Sequence, residues 1–252
     1  MIAAGPAAAG PWTQPKGEGQ IIVKIESLRA QDGFDNDGGR VALLGARQDQ
    51  LIGIFAEYGV ADRLTLQFKG DWQWGEDAVF DYAGRGPAEI GVTWQAWRSD
   101  RGAFSLYGGY ADAGDGRNAG YAPPGLGRRD WEGRAALGWS FDGLLGLPIG
   151  PAQGSFLDLQ AARRLRDDLP DETRLDVTMG AHLNADWMML NQVFAGQGDD
   201  MGEVPGSRWL SLETSLVRRQ GAWSLQLGWR QALGGRSTPR SAGPVIGLWR
   251  RF

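Results

Sequence analysis

The segment RLTLQFKGDWQW, beginning at Arg63, places Leu64, Leu66, Phe68, Gly70, Trp72 and Trp74 at alternate positions. Thr65, Gln67, Lys69, Asp71 and Gln73 stand between them. A period of two puts the first set on one face of a β-strand and the second set on the other. A helical period would scatter both sets around the axis. The same alternation recurs down the chain. Ala88, Ile90, Val92, Trp94 and Ala96 alternate with Glu89, Thr93 and Gln95, and Trp131, Ala135, Leu137, Trp139 and Phe141 with Glu132, Arg134 and Ser140. Leu175, Val177, Met179, Ala181 and Leu183 alternate with Arg174, Asp176, Thr178, His182 and Asn184, and Trp223, Leu225, Leu227 and Trp229 with Ser224, Gln226 and Arg230. Weaker alternation marks Gln20 to Arg29, Ala46 to Tyr58, Ala103 to Ala111, Ser155 to Leu165, Asp186 to Ala195, Trp209 to Val217 and Pro244 to Phe252. The pattern predicts about twelve strands of about 9 to 13 residues, the length a tilted membrane-crossing strand requires.

The connections sort by length. Short ones at 59–63, 98–102, 183–186 and 218–221 alternate with longer Gly- and Asp-rich ones such as DAGDGRNAGYAPPGLGRR; DGLLGLPIGPAQG, at 142–154, is the exception, a long connection on the short-turn side. Short turns at one end and long loops at the other are the layout of an outer-membrane barrel. Aromatic residues gather near strand ends: Trp94, Phe104, Trp139, Phe141, Trp187, Trp223 and Phe252 toward the short turns, and Trp72, Trp74, Tyr110 and Trp131 toward the long loops. Two such girdles are expected where rings meet lipid headgroups. A soluble sandwich also alternates, but its strands are shorter and its loops are not sorted between two ends. The fold expected is therefore an all-β, antiparallel, up-and-down transmembrane barrel with short periplasmic turns and longer extracellular loops. In the last strand Ile246, Leu248 and Phe252 share the outward face. A terminal outward Phe is similar to the C-terminal signal that the barrel-insertion machinery reads, although Arg250 stands where that signal usually has an apolar residue.

Composition narrows the function. The 252 residues include 40 Gly and 12 Trp, no Cys, and a formal net charge of −4. Without Cys there is no disulfide framework or thiol chemistry. The acidic balance gives no nucleic-acid surface, and no stretch approaches the length of a membrane helix. MIAAGPAAAGPW lacks the charged start and long apolar stretch of an intact signal peptide, so a mature terminus is expected. Pro11 and Pro15 favour extended chain. The expected division is an N-terminal segment 1–18, with Trp12 plugging the periplasmic mouth or strapping its rim, and a barrel over 19–252.

The inward faces carry mixed charge. Lys69, Asp71, Glu89, Glu132, Arg134, Arg174, Asp176, His182, Glu213 and Arg230 are the leading lumen residues, joined by Lys24, Glu26, Arg47, Glu57, Asp158 and Arg164. A ladder of one sign would mark an ion-selective pore; mixed signs suit either a water-filled passage or a lumen closed by salt bridges. Tyr107, Trp97 and Trp209 are candidate platforms for sugar rings. The sole histidine, His182, has Asn184 two residues on along its face, and Ser211 and Ser215 are the nearest serine candidates in sequence only. No catalytic residue, metal site or cofactor is assigned. Asp32, Asp35 and Asp37 lack the spacing of a calcium loop, and the glycines from Gly114 to Gly127 lack the Lys of a phosphate loop and read as mobile loop.

PWTQP at 11–15, GEGQ at 17–20 and the closing GLWRRF resemble the XagA-like family of small bacterial outer-membrane proteins. EYGVADRLTL, at 57–66, resembles many barrels and is less specific. The resemblance implies a role in exopolysaccharide export or biofilm matrix production, with outer-membrane lipid and lipopolysaccharide, the insertion machinery, and polysaccharide or other secretion components as partners. The leading expectation is a non-catalytic channel or accessory barrel in exopolysaccharide export. The alternatives are a small-solute or oligosaccharide porin and a lipid- or lipopolysaccharide-modifying enzyme.

A closed barrel resists unfolding in detergent. Unboiled protein should migrate differently from boiled protein on a gel; identical mobility together with a helical circular-dichroism spectrum would exclude the barrel.

Overall fold

The computed structural model describes residues 10–118, 120–147, 152–200, 202 and 206–252. The strands are β1 (Gly19–Phe34), β2 (Arg40–Ala61), β3 (Leu64–Glu76), β4 (Asp81–Arg98), β5 (Gly102–Asp112), β6 (Arg129–Asp142), β7 (Gly154–Arg166), β8 (Glu172–His182), β9 (Trp187–Gly198), β10 (Arg208–Gln220), β11 (Trp223–Arg236), the two-residue β12 (Thr238–Pro239) and β13 (Ala242–Arg251). All pairings between them are antiparallel. β1 pairs with β2, from Gly19↔Tyr58 to Phe34↔Arg40, and along its other edge with β13, from Gln20↔Arg251 to Arg29↔Ala242. That double pairing closes the sheet. β12 touches only the outer end of β1, which leaves twelve spanning strands. Lipid offers no hydrogen-bond partner to a backbone amide, so strands can cross it only in a sheet without edges.

The faces follow the alternation. Ile25, Ile54, Phe68, Ile90, Leu137, Leu175, Leu225 and Ile246 are exposed on the outside, while Gln67, Glu89, Glu132, Thr178, Glu213 and Gln226 are buried inside. In water such an exterior would be an aggregation surface; in a bilayer it is the lipid-facing band. The architecture is that of a bacterial outer-membrane barrel.

Bulges modify the pattern locally. Pairing of β4 with β5 shifts between Gln95 and Trp97, so the extra residue turns Trp97 outward. Trp97 therefore is not a lumen platform. It stacks on the girdle residue Trp139, with ring centroids 6.2 Å apart and planes 21° from parallel. Tyr107 and Trp209 do face inward, Trp209 lying over the space left by Gly196. β2 runs 22 residues, well past the expected 46–58, and with β1 projects beyond the long-loop end of the band. In the exceptional connection Leu144 and Leu147 bridge each other, and 148–151 lie outside the described residues.

The register sets a depth-dependent test. Phe68→Arg, near the middle of β3, should destabilise by about 2–4 kcal/mol, whereas Leu66→Arg, closer to the periplasmic turn, should cost about 0–1 kcal/mol, measured by denaturant unfolding in lipid. Equal costs would place this segment outside the apolar band.

Candidate functional site, the barrel lumen

The lumen wall is built from opposite charges placed directly across strand boundaries. The register aligns Lys69 with Glu89, Glu132 with Arg164, and Glu213 with Arg230. Directly opposed side chains on one face are the pairs that interact most strongly in a sheet. Two clusters result. On the β3–β8 side, Glu132 accepts from Arg164 at 2.7 Å and pairs with Arg134 at 3.0 Å and with Arg174. Arg164 also reaches Glu89, which pairs with Lys69 at 2.9 Å and accepts the Tyr107 hydroxyl at 2.6 Å. On the opposite wall, Glu213 pairs with Lys24 and Arg230, each at 2.9 Å, and Glu26 pairs with the same two cations at 3.1 and 2.8 Å. Arg134 lies over Tyr107 and Arg230 over Phe194, each guanidinium carbon 4.4 Å from the ring centre. The rings thus already carry cations and are not bare stacking surfaces.

Between the clusters lies a cavity of about 490 Å³, lined by residues including Lys24, Glu26, Lys69, Asp71, Glu89, Arg134, Arg174, Asp176 and Phe194. Of the ten leading lumen residues, nine line this chamber or its charge clusters, and seven of these take part in ion pairs: Lys69, Glu89, Glu132, Arg134, Arg174, Glu213 and Arg230. Asp71 and Asp176 also face it without an ion pair among the described residues, and the Asp71 Oδ1 is buried with no hydrogen-bond partner there. His182 lies apart, at the periplasmic end of β8.

The N-terminal segment closes the periplasmic side. The Pro11 carbonyl accepts from Gln95 Nε2 at 2.9 Å and from Ser105 Oγ. Thr13 Oγ1 donates to the Asp62 carbonyl at 3.1 Å, and the Gln14 amide donates to Thr65 Oγ1 at 2.9 Å. Gln14 also donates to the buried Glu57 carboxylate at 3.0 Å, as do Gln20 and Gln67 at 2.9 Å. Farther along, Lys16 bridges Gly59. Two glycines make room for the segment. A Cβ at Gly138 would come 2.3 Å from Trp12, and one at Gly59 would come 2.1 Å from the Pro15 carbonyl. Trp12 meets Phe156 edge-on at 6.2 Å and packs, with Ile22, against Phe156, Met188, Leu190, Val217 and Trp249. This apolar cluster fills the lower lumen. Sequence reading did not assign it. Its members occupy the polar phase of their strands near the short turns, and in WMML of β9 both phases are apolar, so alternation gives no orientation.

The extracellular side is covered by the β5–β6 loop. Arg47 on β2 donates to the Gly120 carbonyl at 2.9 Å, and Arg166 on β7 donates to the Asn118 carbonyl at 3.2 Å. Arg117 pairs with Asp77 at 2.7 Å, and its amide donates to Gln73 at 2.9 Å. Burial raises the Asp77 pKa, but the N–H groups of Val79 and Phe80 and the Arg117 guanidinium outweigh it and hold the carboxyl below its ordinary value. A loop expected to be mobile is thus tied to three parts of the wall.

His182 Nδ1 lies 3.0 Å from Arg219 Nη2. Arginine can only donate, so Nδ1 accepts and the proton sits on Nε2. Ser215 bonds instead to Glu213 and Gln226. A serine nucleophile needs a histidine against its hydroxyl and a group orienting that histidine, and these side chains are not arranged so. In the acidic loop Asp35 accepts from the amides of Asp37 and Gly39 at 2.9 and 2.8 Å, and Asp32 pairs with Arg40 and Arg240, so both carboxylates shape the loop itself.

Among the girdle residues, Trp72, Trp94, Trp131, Trp139, Trp223 and Phe252 are exposed on the outside, and Trp74 and Trp187 are half-covered. Arg218 covers Trp187 and Arg250 covers Trp223, the latter 4.6 Å from the ring centre. Arg250 thus has an interfacial partner.

These features define a monomer-sized outer-membrane barrel with a polar chamber held between two stoppers. Solved structures share the barrel architecture. The chain is similar to an outer membrane channel from Pseudomonas putida F1, at 11% identity and a TM-score of 0.72, covering 98% of this chain and 100% of that one. It is also similar to the KdgM porin, at 9% identity, a TM-score of 0.52 and coverage of 92% and 99%, and to the NanC porin, at 6% identity, a TM-score of 0.52 and coverage of 90% and 98%. At these identities the likeness is one of fold. No protein-family model matches the chain, and neither does any curated protein sequence.

Glu132→Gln would leave Arg134, Arg164 and Arg174 crowded without their shared carboxylate. It should destabilise by about 3–5 kcal/mol, because Arg134 and Arg174 lose their carboxylate partner while Arg164 keeps Glu89 and Asp130. Asp142→Asn, which breaks an exposed rim pair with Arg101, should change far less. Denaturant unfolding of the two variants compares them; equal effects would mean that the cluster is well solvated.

Proposed function

We propose that this protein is a non-catalytic outer-membrane channel or accessory barrel serving exopolysaccharide export, described here with its conduit shut. The observation that carries this reading is the chamber itself. Its wall is polar and charge-compensated, and what spans it at either end is a terminal segment, docked on apolar wall side chains, and a loop. Such elements can move without breaking the sheet, whereas a lumen sealed by its own strands could not open. The resemblance of PWTQP, GEGQ and GLWRRF to XagA-like proteins supports polysaccharide as the cargo. Insertion machinery reading Phe252, and secretion components at the periplasmic face, are the partners this role calls for.

A specific observation favours a second reading, a porin for small solutes or oligosaccharides. The chamber, about 490 Å³, falls within the range of small-ligand pockets. A KdgM porin of similar fold has been seen in complex with oligogalacturonate. The third reading, a lipid-modifying enzyme, lacks a serine or carboxylate against His182 among the described residues.

Deletion of residues 1–16 and, separately, Trp12→Ala should raise single-channel conductance in planar bilayers. Losing the Gln14 bond to Glu57 should cost the deletion variant some stability. Added exopolysaccharide should block the opened channel if polymer is the cargo, and short oligosaccharides alone should do so if the porin reading holds. Unchanged conductance in both variants would exclude the N-terminal segment as the stopper.

A further inference from the structure

Three inward-facing cationic or hydrogen-bond-donating side chains end their strands together at the periplasmic mouth. Arg219 comes from the end of β10, Arg251 from the end of β13 and His182 from the end of β8. The register sets Arg219 opposite Ser224 and Ser224 opposite Trp249, so Arg219 and Arg251 leave the inner wall at the same end, two strands apart, and Arg219 reaches His182 at 3.0 Å. Every other wall arginine or lysine of the chamber has a carboxylate partner: Lys24, Arg47, Lys69, Arg134, Arg164, Arg166, Arg174 and Arg230. Arg219 and Arg251 have none among the described residues. Moreover, Arg219 Nε and an Nη of Arg251 are buried and make no hydrogen bond there.

The lumen pairs its charges consistently elsewhere, yet these two cations at one end of the wall have no carboxylate among the described residues. Two uncompensated guanidinium groups converging on one mouth favour an anion there, since each offers charge-assisted hydrogen bonds to an oxyanion. The neighbouring histidine completes the donor set. Its Nδ1 is occupied by Arg219, so its Nε2–H remains available. Among the described residues, no hydrogen bond of the N-terminal segment reaches these three donors. The hydrogen bonds that tie down the N-terminal segment run to Glu57, Asp62, Thr65, Gln95 and Ser105, all on β2 to β5 or the turn between β2 and β3. The three donors stand on the arc formed by β8 to β13.

We propose that Arg219, Arg251 and His182 form an oxyanion-binding site at the periplasmic entrance, taking the carboxylate of an acidic sugar or a phosphate group. The site lies on the periplasmic side of the apolar cluster around Trp12. It therefore meets an anionic ligand in the periplasm before that ligand reaches the stopper. It does not depend on the channel reading, since a closed barrel would still bind.

Calorimetric titration of the full chain, folded in detergent, tests this with three probes: inorganic phosphate, glucuronate and glucose. One or both anions should bind and glucose should not. Phosphate alone would identify phosphate-bearing ligands as the class, and glucuronate would identify acidic sugars. The double variant Arg219→Gln, Arg251→Gln should weaken anion binding at least tenfold. Arg218→Gln and Arg250→Gln, whose side chains face outward, should leave it unchanged. Because neither arginine holds a carboxylate among the described residues, the melting temperature of the double variant should not fall, which separates a ligand site from a structural pair. Anion affinity within twofold of the parent in the double variant, equal binding of glucose, or no binding of either anion would overturn the proposal. Conductance is measured independently, so a barrel that fails to conduct leaves the titration interpretable.

Discussion

Every backbone amide that crosses lipid must find its partner within the protein, and the rest of this structure depends on that constraint. It is met by one strand. β1 gives one edge to β2 and the other to β13, bringing the first and last spanning strands of the sheet together. Once the sheet is closed, the two faces of every strand have different solvents. The outer face must be apolar and the inner face need not be, which is why alternation persists through strands with little else in common.

Closure also creates the problem that the lumen solves. A dozen strands of this length enclose a narrow interior in which charged side chains cannot all reach bulk water. The register answers by setting Lys69 against Glu89, Glu132 against Arg164 and Glu213 against Arg230. Single carboxylates shared among several cations hold the two walls rigid around the chamber. The same compensation makes the uncompensated pair at the periplasmic mouth informative. Arg219 and Arg251 differ from the other lumen cations in having no carboxylate among the described residues.

The two stoppers use different chemistry. The N-terminal segment enters by apolar contact, Trp12 against Phe156, and by backbone carbonyls and amides that find side-chain partners on the wall. The extracellular loop is held by arginines reaching its carbonyls. Neither contributes a strand to the sheet, so either can be displaced at the expense of local contacts alone.

The periodicity of the chain was enough to read the strands, their inward and outward faces, the sorting of turns and loops and most of the girdle. A two-residue period and a lipid exterior act position by position, and no long-range information is needed to apply them. It also placed Lys69, Glu132, Arg174 and Glu213 on the inner wall. What it could not supply was which inward charges meet, because register joins residues from different strands, as with Glu132 and Arg174, which are not on adjacent strands. Nor could it find the bulge at Gln95 that turns Trp97 outward, since one inserted residue inverts the phase without changing composition. The lower apolar cluster was hidden for a related reason: Phe156, Val217 and Trp249 break the alternation singly and look like exceptions until the closed sheet brings them together around Trp12. The chain alone determined the barrel, its two faces and an N-terminal segment placed at the periplasmic mouth; tertiary closure decided the charge pairing, the contacts of the two stoppers and the unpaired arginines, because each depends on which strands lie across the lumen from one another.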